Sequence, residues 1–480
     1  MQSGCVNLYM GFERLFLRDQ RGGGQDAGLK AVLWICACGA SWKAARLISR
    51  GWKNSGRCCW VASMSEERRK PAIRFKGFTG DWERRKLWAT CDDFEYGLNA
   101  AATAFDGTNK YIRITDIDDS SHQFKNDGLT SPDTDLSNAD NYKLSYGDIL
   151  FARTGASVGK TYIYRDSDGL VYYAGFLIRA KIKPEYDAEF IFQNTLTGEY
   201  DRFIRITSQR SGQPGVNAQE YGEYQFFIPS TDEQKRSGVF FAHLDTLITL
   251  HQRKYDKLVC IKKAMLEKMF PQNGSCFPEI RFAGFTDAWE RRTLGELMLF
   301  QNGFNSGSAA YGSGIALISV MDILGNNYIT YSMIRGKAQL KPDEAKRYSV
   351  EFGDVLFQRS SENFEDAGRS NVYLDTSNNA IFGGFVIRGK KIADYNPMFM
   401  KHLLDTTSIR LQVISKAQGA QHINVTQETL LDVQVYMPSI SEQQIVGDYF
   451  FHLDRLTTLQ QRALDKLKTL KKAFLEKMFV

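Results

Sequence analysis

Two stretches of the chain carry apolar side chains at three-four spacing: Leu244, Leu247, Leu258, Ile261 and Met265 in the first, and Leu453, Leu456, Leu467, Leu470 and Phe474 in the second. Lys, Arg, Glu and Gln fill the positions between. A stripe this narrow predicts a coiled-coil seam, because a helix lying on its own globular domain would show a wider apolar face. Each stretch follows a Ser/Thr/Asp cluster and a Glu-Gln pair, "PSTDEQ" from Pro229 and "PSISEQ" from Pro438, which is a helix-start signal. Apart from Gly238 and Gly447 near the beginnings, no Gly or Pro interrupts either one. At 1.5 Å per residue, each helix would run roughly 60 Å. Two such helices in one chain pair with each other at low entropic cost, and an antiparallel pair would set two globular regions at its opposite ends.

The pattern between the helices is different. Residues Pro71 to Pro229 and Pro278 to Pro438 mix short β-branched and aromatic runs, turn signals and one helical stretch each, "AEFIFQNTLTGEYDRFIRI" and "PMFMKHLLDTTSIRLQVI". Both read as mixed α/β (α+β) domains. They are also copies of each other. "PAIRFKGFTGDWERRKL" at Pro71 recurs as "PEIRFAGFTDAWERRTL" at Pro278, with 12 of 17 positions identical. "GDILFAR" recurs as "GDVLFQR", "AGFLIR" as "GGFVIR", and "KKAMLEKMF" as "KKAFLEKMF". The resulting plan is a globular domain over 64–229, a helix over 230–272, a second domain over 273–437 and a second helix over 438–480. The repeated aromatics Phe75, Phe78 and Trp82, with Phe282, Phe285 and Trp289, read as staples that hold each domain against the helices. His243 and His452, in the repeated "HLD", read as interhelical or partner-facing polar residues.

Charge and cysteine set one region apart. The net charge of +6 points to a basic protein, but residues 1–63 contain nine of the 61 Lys and Arg and only three of the 55 Asp and Glu. The rest balances at 52 to 52, so a nucleic-acid surface must be a local patch. Five of the eight cysteines (Cys5, Cys36, Cys38, Cys58, Cys59) also fall in this segment. With no periodicity and an abrupt change of composition after it, 1–63 reads as an extension, non-native or disordered. An interaction or targeting arm is the alternative. The absence of CxxC pairs and HExxH argues against a metal site, and scattered free cysteines fit a reducing cytoplasm. The run "AVLWICAC" is too short to span a bilayer, so no membrane association is expected.

One loop looks like a nucleotide site. "RTGASVGKT", from Arg153 to Thr161, has three residues between its first glycine and Gly-Lys, where a phosphate loop needs four. The following "YIYRDSDGLVYYAGFLIRA" reads as strands rather than as the required helix. Nor does the chain carry a [DN]-P-P-[FYW] methyltransfer tetrapeptide.

The duplicated "GFTxxWERRxL", "GDxLFxR", "PSxxEQ" and "KKAxLEKMF" resemble the specificity subunits of type I restriction-modification systems across Met64 to Val480. The resemblance implies two target recognition domains in tandem, separated by two long antiparallel coiled-coil helices with pseudo-two-fold symmetry. Each domain would read one half of a bipartite, gapped site in double-stranded DNA. The helices would set the spacing and dock two methyltransferase subunits, joined in a restriction complex by motor-nuclease subunits. This chain would hold no cofactor and no active site. S-adenosylmethionine and ATP with Mg would bind the partners, in the cytoplasm. A non-DNA coiled-coil scaffold with duplicated ligand-binding domains is the alternative.

The internal repeat then nominates contact residues. Opposite the Arg153 loop lies "RSSENFEDAGRSNVY" from Arg359, three residues longer. Arg153 and Arg359, and Lys160 and Arg369, are basic flanks suited to phosphate, with Thr154, Ser157, Ser360 and Ser361 beside them. A conformational glycine next to a solvated charge would leave the same pattern. "SGQPGVN" (Ser211–Asn217) lies opposite "AQGAQHIN" (Ala417–Asn424) and offers the amides of Gln213, Asn217, Gln418, Gln421 and Asn424, which can pair with adenine edges. Polar residues capping a turn are the alternative there. Arg205, Arg210, Arg410 and Lys416 are the remaining phosphate candidates.

Overall fold

The computed structural model describes residues 70–480 except 273, 306–310 and 418–421. The 1–63 extension therefore lies outside the described residues. The chain divides into two compact units, one made of the described residues up to Thr249 with Asp465–Val480, the other of Leu250–Leu464.

In the first unit, strand Glu83–Lys86 pairs antiparallel with Gln225–Ile228, so the segment entering the globular domain and the one leaving it share a ladder. Phe226 and Ile228 alternate inward from the second of these strands. A four-stranded sheet follows, in the order Cys91–Tyr96, Leu177–Ile182, Ile149–Ala152, Thr161–Ile163. "GDILFAR" supplies its third strand, buried on both faces, which explains an unbroken apolar run where alternation would mark a half-exposed strand. The strands after "RTGASVGKT", Thr161–Ile163, Val171–Tyr173 and Leu177–Ile182, occupy the place a phosphate-loop helix would need.

The second unit repeats this ladder. Strands Glu290–Thr293 and Gln434–Met437 pair antiparallel, and a four-stranded sheet runs Met298–Asn302, Val386–Lys391, Val355–Gln358, Ser370–Val372. The register matches: Phe151 faces Ile178, and Phe357 faces Ile387. Between the repeated motifs sits a core ion pair. Arg388 Nε donates to Asp354 Oδ2 at 2.7 Å, and the equivalent Arg179 and Asp148 are 3.5 Å apart.

The single helical stretch expected in each domain is two helices. Ala188–Asn194 stops before Thr197, whose hydroxyl caps Gly198–Thr207, and Pro397–Leu404 stops before Thr406, ahead of Thr407–Ser415. Threonine competes with the helix for local hydrogen bonds, and helical periodicity conceals that break.

The long helices run Thr231–Lys268 and Ile440–Met478. Their Glu-Gln starts anchor rather than cap. Arg74 grips Glu233 with two bonds of 2.6 Å, and Arg281 grips Glu442 with two of 2.7 Å. Gln234 and Gln443 donate to the carbonyls of Pro229 and Pro438, each at 2.9 Å. Within the first unit Phe240 packs against Phe474 at 5.2 Å, and Lys471 meets Asp245 at 2.6 Å. Within the second, Phe270 stacks on Phe450 at 5.7 Å, and Lys262 meets Asp454 at 2.5 Å. The stripe residues are buried or half-buried except Leu456, which is 48% exposed. Four of the entry aromatics pack: Trp82 lies edge-on to Phe190 and Phe479, Trp289 packs on Phe270 and Phe399, and Phe75 and Phe282 pack on Phe240 and Tyr449, while Phe78 and Phe285 are half-exposed. His243 and His452 are exposed.

Candidate nucleic-acid interface

The two loops nominated in the first unit lie side by side. Val216 N donates to Arg153 O at 2.9 Å and Gly155 N to Pro214 O at 3.1 Å, with Thr154 bridged antiparallel to Gly215. On the other side of Arg153, its own N–H donates to Phe176 O at 3.1 Å. Three backbone segments thus form one short ladder: the Phe176 turn, the Arg153 loop and the Gly215 loop. Gly159 closes the Arg153 loop. Its φ of +87° is left-handed, and a Cβ there would stand 2.6 Å from Ile204 Cγ2. Tyr221 and Tyr200 clamp it, since Gly159 N donates to Tyr221 Oη at 3.1 Å and Tyr200 Oη donates to Gly159 O at 2.9 Å.

The second unit builds the same ladder from different residues. Arg359 N donates to Phe385 O at 2.9 Å, Val425 N donates to Arg359 O at 2.9 Å, and Ser360–Ser361 pairs antiparallel with Ile423–Asn424. Gly368 matches Gly159: its φ is +65°, and a Cβ would stand 2.5 Å from Val413 Cγ1. The repeated glycine is therefore fixed by backbone conformation and packing, whatever the loop binds.

The basic flanks differ more than their alignment implies. The Arg153 guanidinium lies 5.0 Å over the Tyr96 ring, and Arg359 Nη1 donates to Gly384 O at 3.3 Å. Neither has a carboxylate partner among the described residues, so each keeps its charge available. Lys160 does not. Its side chain is only 9% exposed, pairs with Asp119 and donates to Ile117 O at 3.1 Å, which corrects its assignment as a phosphate anchor. Its counterpart Arg369 is half-exposed beside Asp366, 3.0 Å away.

The amides separate likewise. Gln213 is exposed beside Gly155. Asn217 caps a short helix: its Oδ1 accepts from Glu220 N at 2.9 Å, and its own N–H donates to Glu220 Oε2 at 2.9 Å. The structural counterpart of Asn217 is Thr426, which caps Gln427–Leu431, whereas Asn424 stands opposite Gly215 in the ladder. The sequence pairing of Asn217 with Asn424 was therefore two residues out of register. Asn424 is exposed, accepts from Ser360 Oγ and donates to His422 O at 3.1 Å. Ser157 is half-buried in the turn Gly155–Ser157, and Ser361 is buried, where its Oγ accepts from Asn363 N. Gln418 and Gln421 lie outside the described residues.

Among the outer candidates, Arg210 is committed to Glu220 and to the carbonyls of Thr207 and Gln209. Arg410 donates to Glu365 O and Ala367 O from a half-buried position, and burial with Arg369 nearby lowers its pKa. Lys416 lies 3.8 Å from Asp432, both exposed, a pair that solvent largely screens. Arg205 is exposed. The described residues contain no cluster of His, Cys, Asp and Glu able to hold a metal ion, and no helix among them is long and apolar enough to cross a membrane.

Two residues absent from the sequence reading stand out in the geometry. Phe176 and Phe385 occupy the same place in the two ladders, and their side chains are 63% and 69% exposed. The signal was available in the repeated "GF" of "AGFLIR" and "GGFVIR", but an aromatic before a strand reads as core.

Comparison with known proteins agrees with this architecture. Residues 96–259 match the family model described as the type I restriction modification DNA specificity domain. The chain is 19% identical over 363 residues to the type I restriction enzyme MjaVIII specificity subunit of Methanocaldococcus jannaschii, covering 73% of this chain and 82% of that one. It is 21% identical over 410 residues to a putative type I restriction enzyme MjaX specificity subunit of the same organism, covering 82% and 91%. A solved type I restriction-modification S subunit from M. genitalium shares the fold at a TM-score of 0.54 and 13% identity, over 86% of this chain and 99% of that one. The family model covers one copy, and the matched sheet register extends the same domain plan to the other. The chain is thus similar to the specificity subunits of type I restriction-modification systems over most of its length, and residues 96–259 match the DNA specificity domain.

Proposed function

We propose that this chain is the non-catalytic subunit that chooses the DNA sequence for a type I methyltransferase and restriction assembly. Each ladder binds one half of a bipartite, gapped duplex site. The observation that carries this reading is the recurrence of an arginine without a carboxylate partner among the described residues, Arg153 or Arg359, between an exposed phenylalanine turn and a tip whose length and chemistry change between copies. Phosphate contacts fix position, and variable tips read bases. Gln213 in one unit, and Ser360 and Asn424 in the other, are the base-edge candidates.

The long helices pair antiparallel as a coiled coil, give the subunit pseudo-two-fold symmetry, set the distance between half-sites and dock two methyltransferase subunits. The exchanged ion pairs support this: the "HLD" aspartate of each copy meets the first lysine of the other copy's "KKA" motif. S-adenosylmethionine, and ATP with Mg, belong to the methyltransferase and motor-nuclease partners. Mapping methylated adenines in the host genome with and without the gene tests the reading. One gapped motif should vanish with the gene, and exchange of residues 278–437 for another recognition domain should change one half of it only. A genome whose methylated motifs are unchanged by deletion would leave the scaffold alternative standing.

A further inference from the structure

We infer that Phe176 and Phe385 are the parts of the two ladders that press into a base step of duplex DNA, without regard to its sequence. The inference rests on the DNA-reading function proposed above and goes further in assigning a role that neither arginine nor amide can fill.

Exposure is the first ground. Both phenylalanines are exposed, at 63% and 69%, whereas the repeated aromatics Trp82 and Trp289, and Phe151 and Phe357, are buried. Rigidity is the second. Leu177 N donates to Ala174 O at 2.8 Å and Val386 N to Gly383 O at 2.9 Å, so each phenylalanine sits inside a closed turn. Behind it the chain packs so closely that a Cβ on Gly97 would collide with the Ala174 carbonyl, and one on Gly303 with that of Gly383. The backbone that presents each ring is thereby held in place. The third ground is the comparison between copies. Around the phenylalanines nearly everything that could read a base changes: the tip is longer in the second copy, and Gly215 becomes Asn424. Two half-sites of different sequence need different readers, so a side chain present in both suits what all duplexes share, which is phosphates and stacked bases.

The occupant follows from charge. The backbone carbonyl of each phenylalanine accepts from the backbone N–H of an arginine that has no carboxylate partner among the described residues. A polyanion with an apolar stacked interior satisfies both groups at once. Apolar side chains that insert at base steps tolerate any sequence and are backed by cationic contacts to the flanking phosphates.

The test uses the full chain assembled with its methyltransferase partner, and duplexes selected from a randomised pool. Phe176→Ala and Phe385→Ala should each weaken binding to the selected duplex about tenfold, leave the selected sequence unchanged and leave subunit assembly intact by size-exclusion chromatography. Phe176→Leu and Phe385→Leu, which keep an apolar wedge, should recover most of the loss. With 2-aminopurine walked through the site, each alanine variant should dim the fluorescence of an unstacked step in one half-site and spare the other. Unchanged affinity overturns the inference, as does loss of sequence preference in the affected half. Failure to assemble would make these rings a protein contact instead, and also overturns it. A wild-type assembly that enriches no sequence at all defeats the DNA-reading function itself, an outcome separate from all of these.

Discussion

In the first unit, Asp245 receives the Gln193 amide at 2.8 Å and the Lys471 ammonium at 2.6 Å. In the second, the equivalent Asp454 receives Lys262 at 2.5 Å, but the place of Gln193 is taken by His402, whose Nε2 stands 3.3 Å away. The His402 ring is fully buried and stacked on Phe450. Burial holds its pKa down at about 4, so it is neutral at physiological pH and Lys262 supplies the counter-charge. Burial alone would raise Asp454, but His402 and Lys262 outweigh it and hold that carboxyl at about 2. One duplicated scaffold therefore carries two versions of a helix anchor, one with a fixed donor and one with a titratable ring. The core ion pair diverges in the same way. Arg388 relies on Asp354, whereas Arg179 has Glu95 and the carbonyls of Lys143 and Asn141 as well as Asp148.

The largest difference between the units should come from that core pair. Asp354→Ala leaves Arg388 buried without its counter-ion, and removing one partner of such a pair costs about 3–5 kcal/mol. Asp148→Ala should cost no more than about 2 kcal/mol, because Glu95 and two carbonyls still hold Arg179. Hydrogen exchange followed by mass spectrometry reads each unit separately. Equal losses of protection would show that the extra partners of Arg179 contribute nothing.

The second difference is in pH dependence. His402 has a folded pKa below its unfolded value, so the unfolded chain binds more protons between the two. Its contribution is fully present above about pH 6.5 and falls away as the pH drops towards 4, by up to about 3 kcal/mol. His402→Gln, which copies the first unit's anchor, should flatten that part of the second unit's profile. The first unit has its own buried histidine, His122, whose pKa burial also lowers, so each unit is compared with its own variant. Urea unfolding at pH 7, 5 and 4 measures this. A His402→Gln protein that loses stability across the window as steeply as the original would assign the acid sensitivity elsewhere.

The long helices and the duplication were legible in the sequence because they rest on periodicity and repetition, which survive without coordinates. The site was legible only in outline. Arg153 and Arg359 were singled out because the repeat aligns them at the end of a shared strand. Lys160 was misread because its partner, Asp119, lies in a different loop that no local pattern connects to it. Asn217 was misaligned because the tips differ in length, and only the ladder shows that Gly215, not Asn217, stands where Asn424 does. Arg74 with Glu233, and Arg179 with Asp148, were visible as repeated letters. Their meaning as ion pairs needed partners 159 and 31 positions away to be brought together.

The smallest effect separates available charge from committed charge within one loop. Arg153 and Arg359 have no carboxylate partner among the described residues, so binding DNA through either releases counterions and adds about one unit to the dependence of log affinity on log salt. Arg153→Ala and Arg359→Ala should each lower that slope by about one, and the double variant by about two. Lys160 sits in the same loop as Arg153, yet its ammonium already pairs with Asp119 and the Ile117 carbonyl. Lys160→Ala should therefore leave the slope as it was, even if the loop is loosened and affinity falls somewhat at every salt concentration. Fluorescence anisotropy of a labelled duplex with the assembled methyltransferase, between 50 and 200 mM salt, distinguishes the two behaviours. If Lys160→Ala lowered the slope as much as Arg153→Ala, the Asp119 pair would have to open on binding, and the first unit would present two cations where the ladder predicts one.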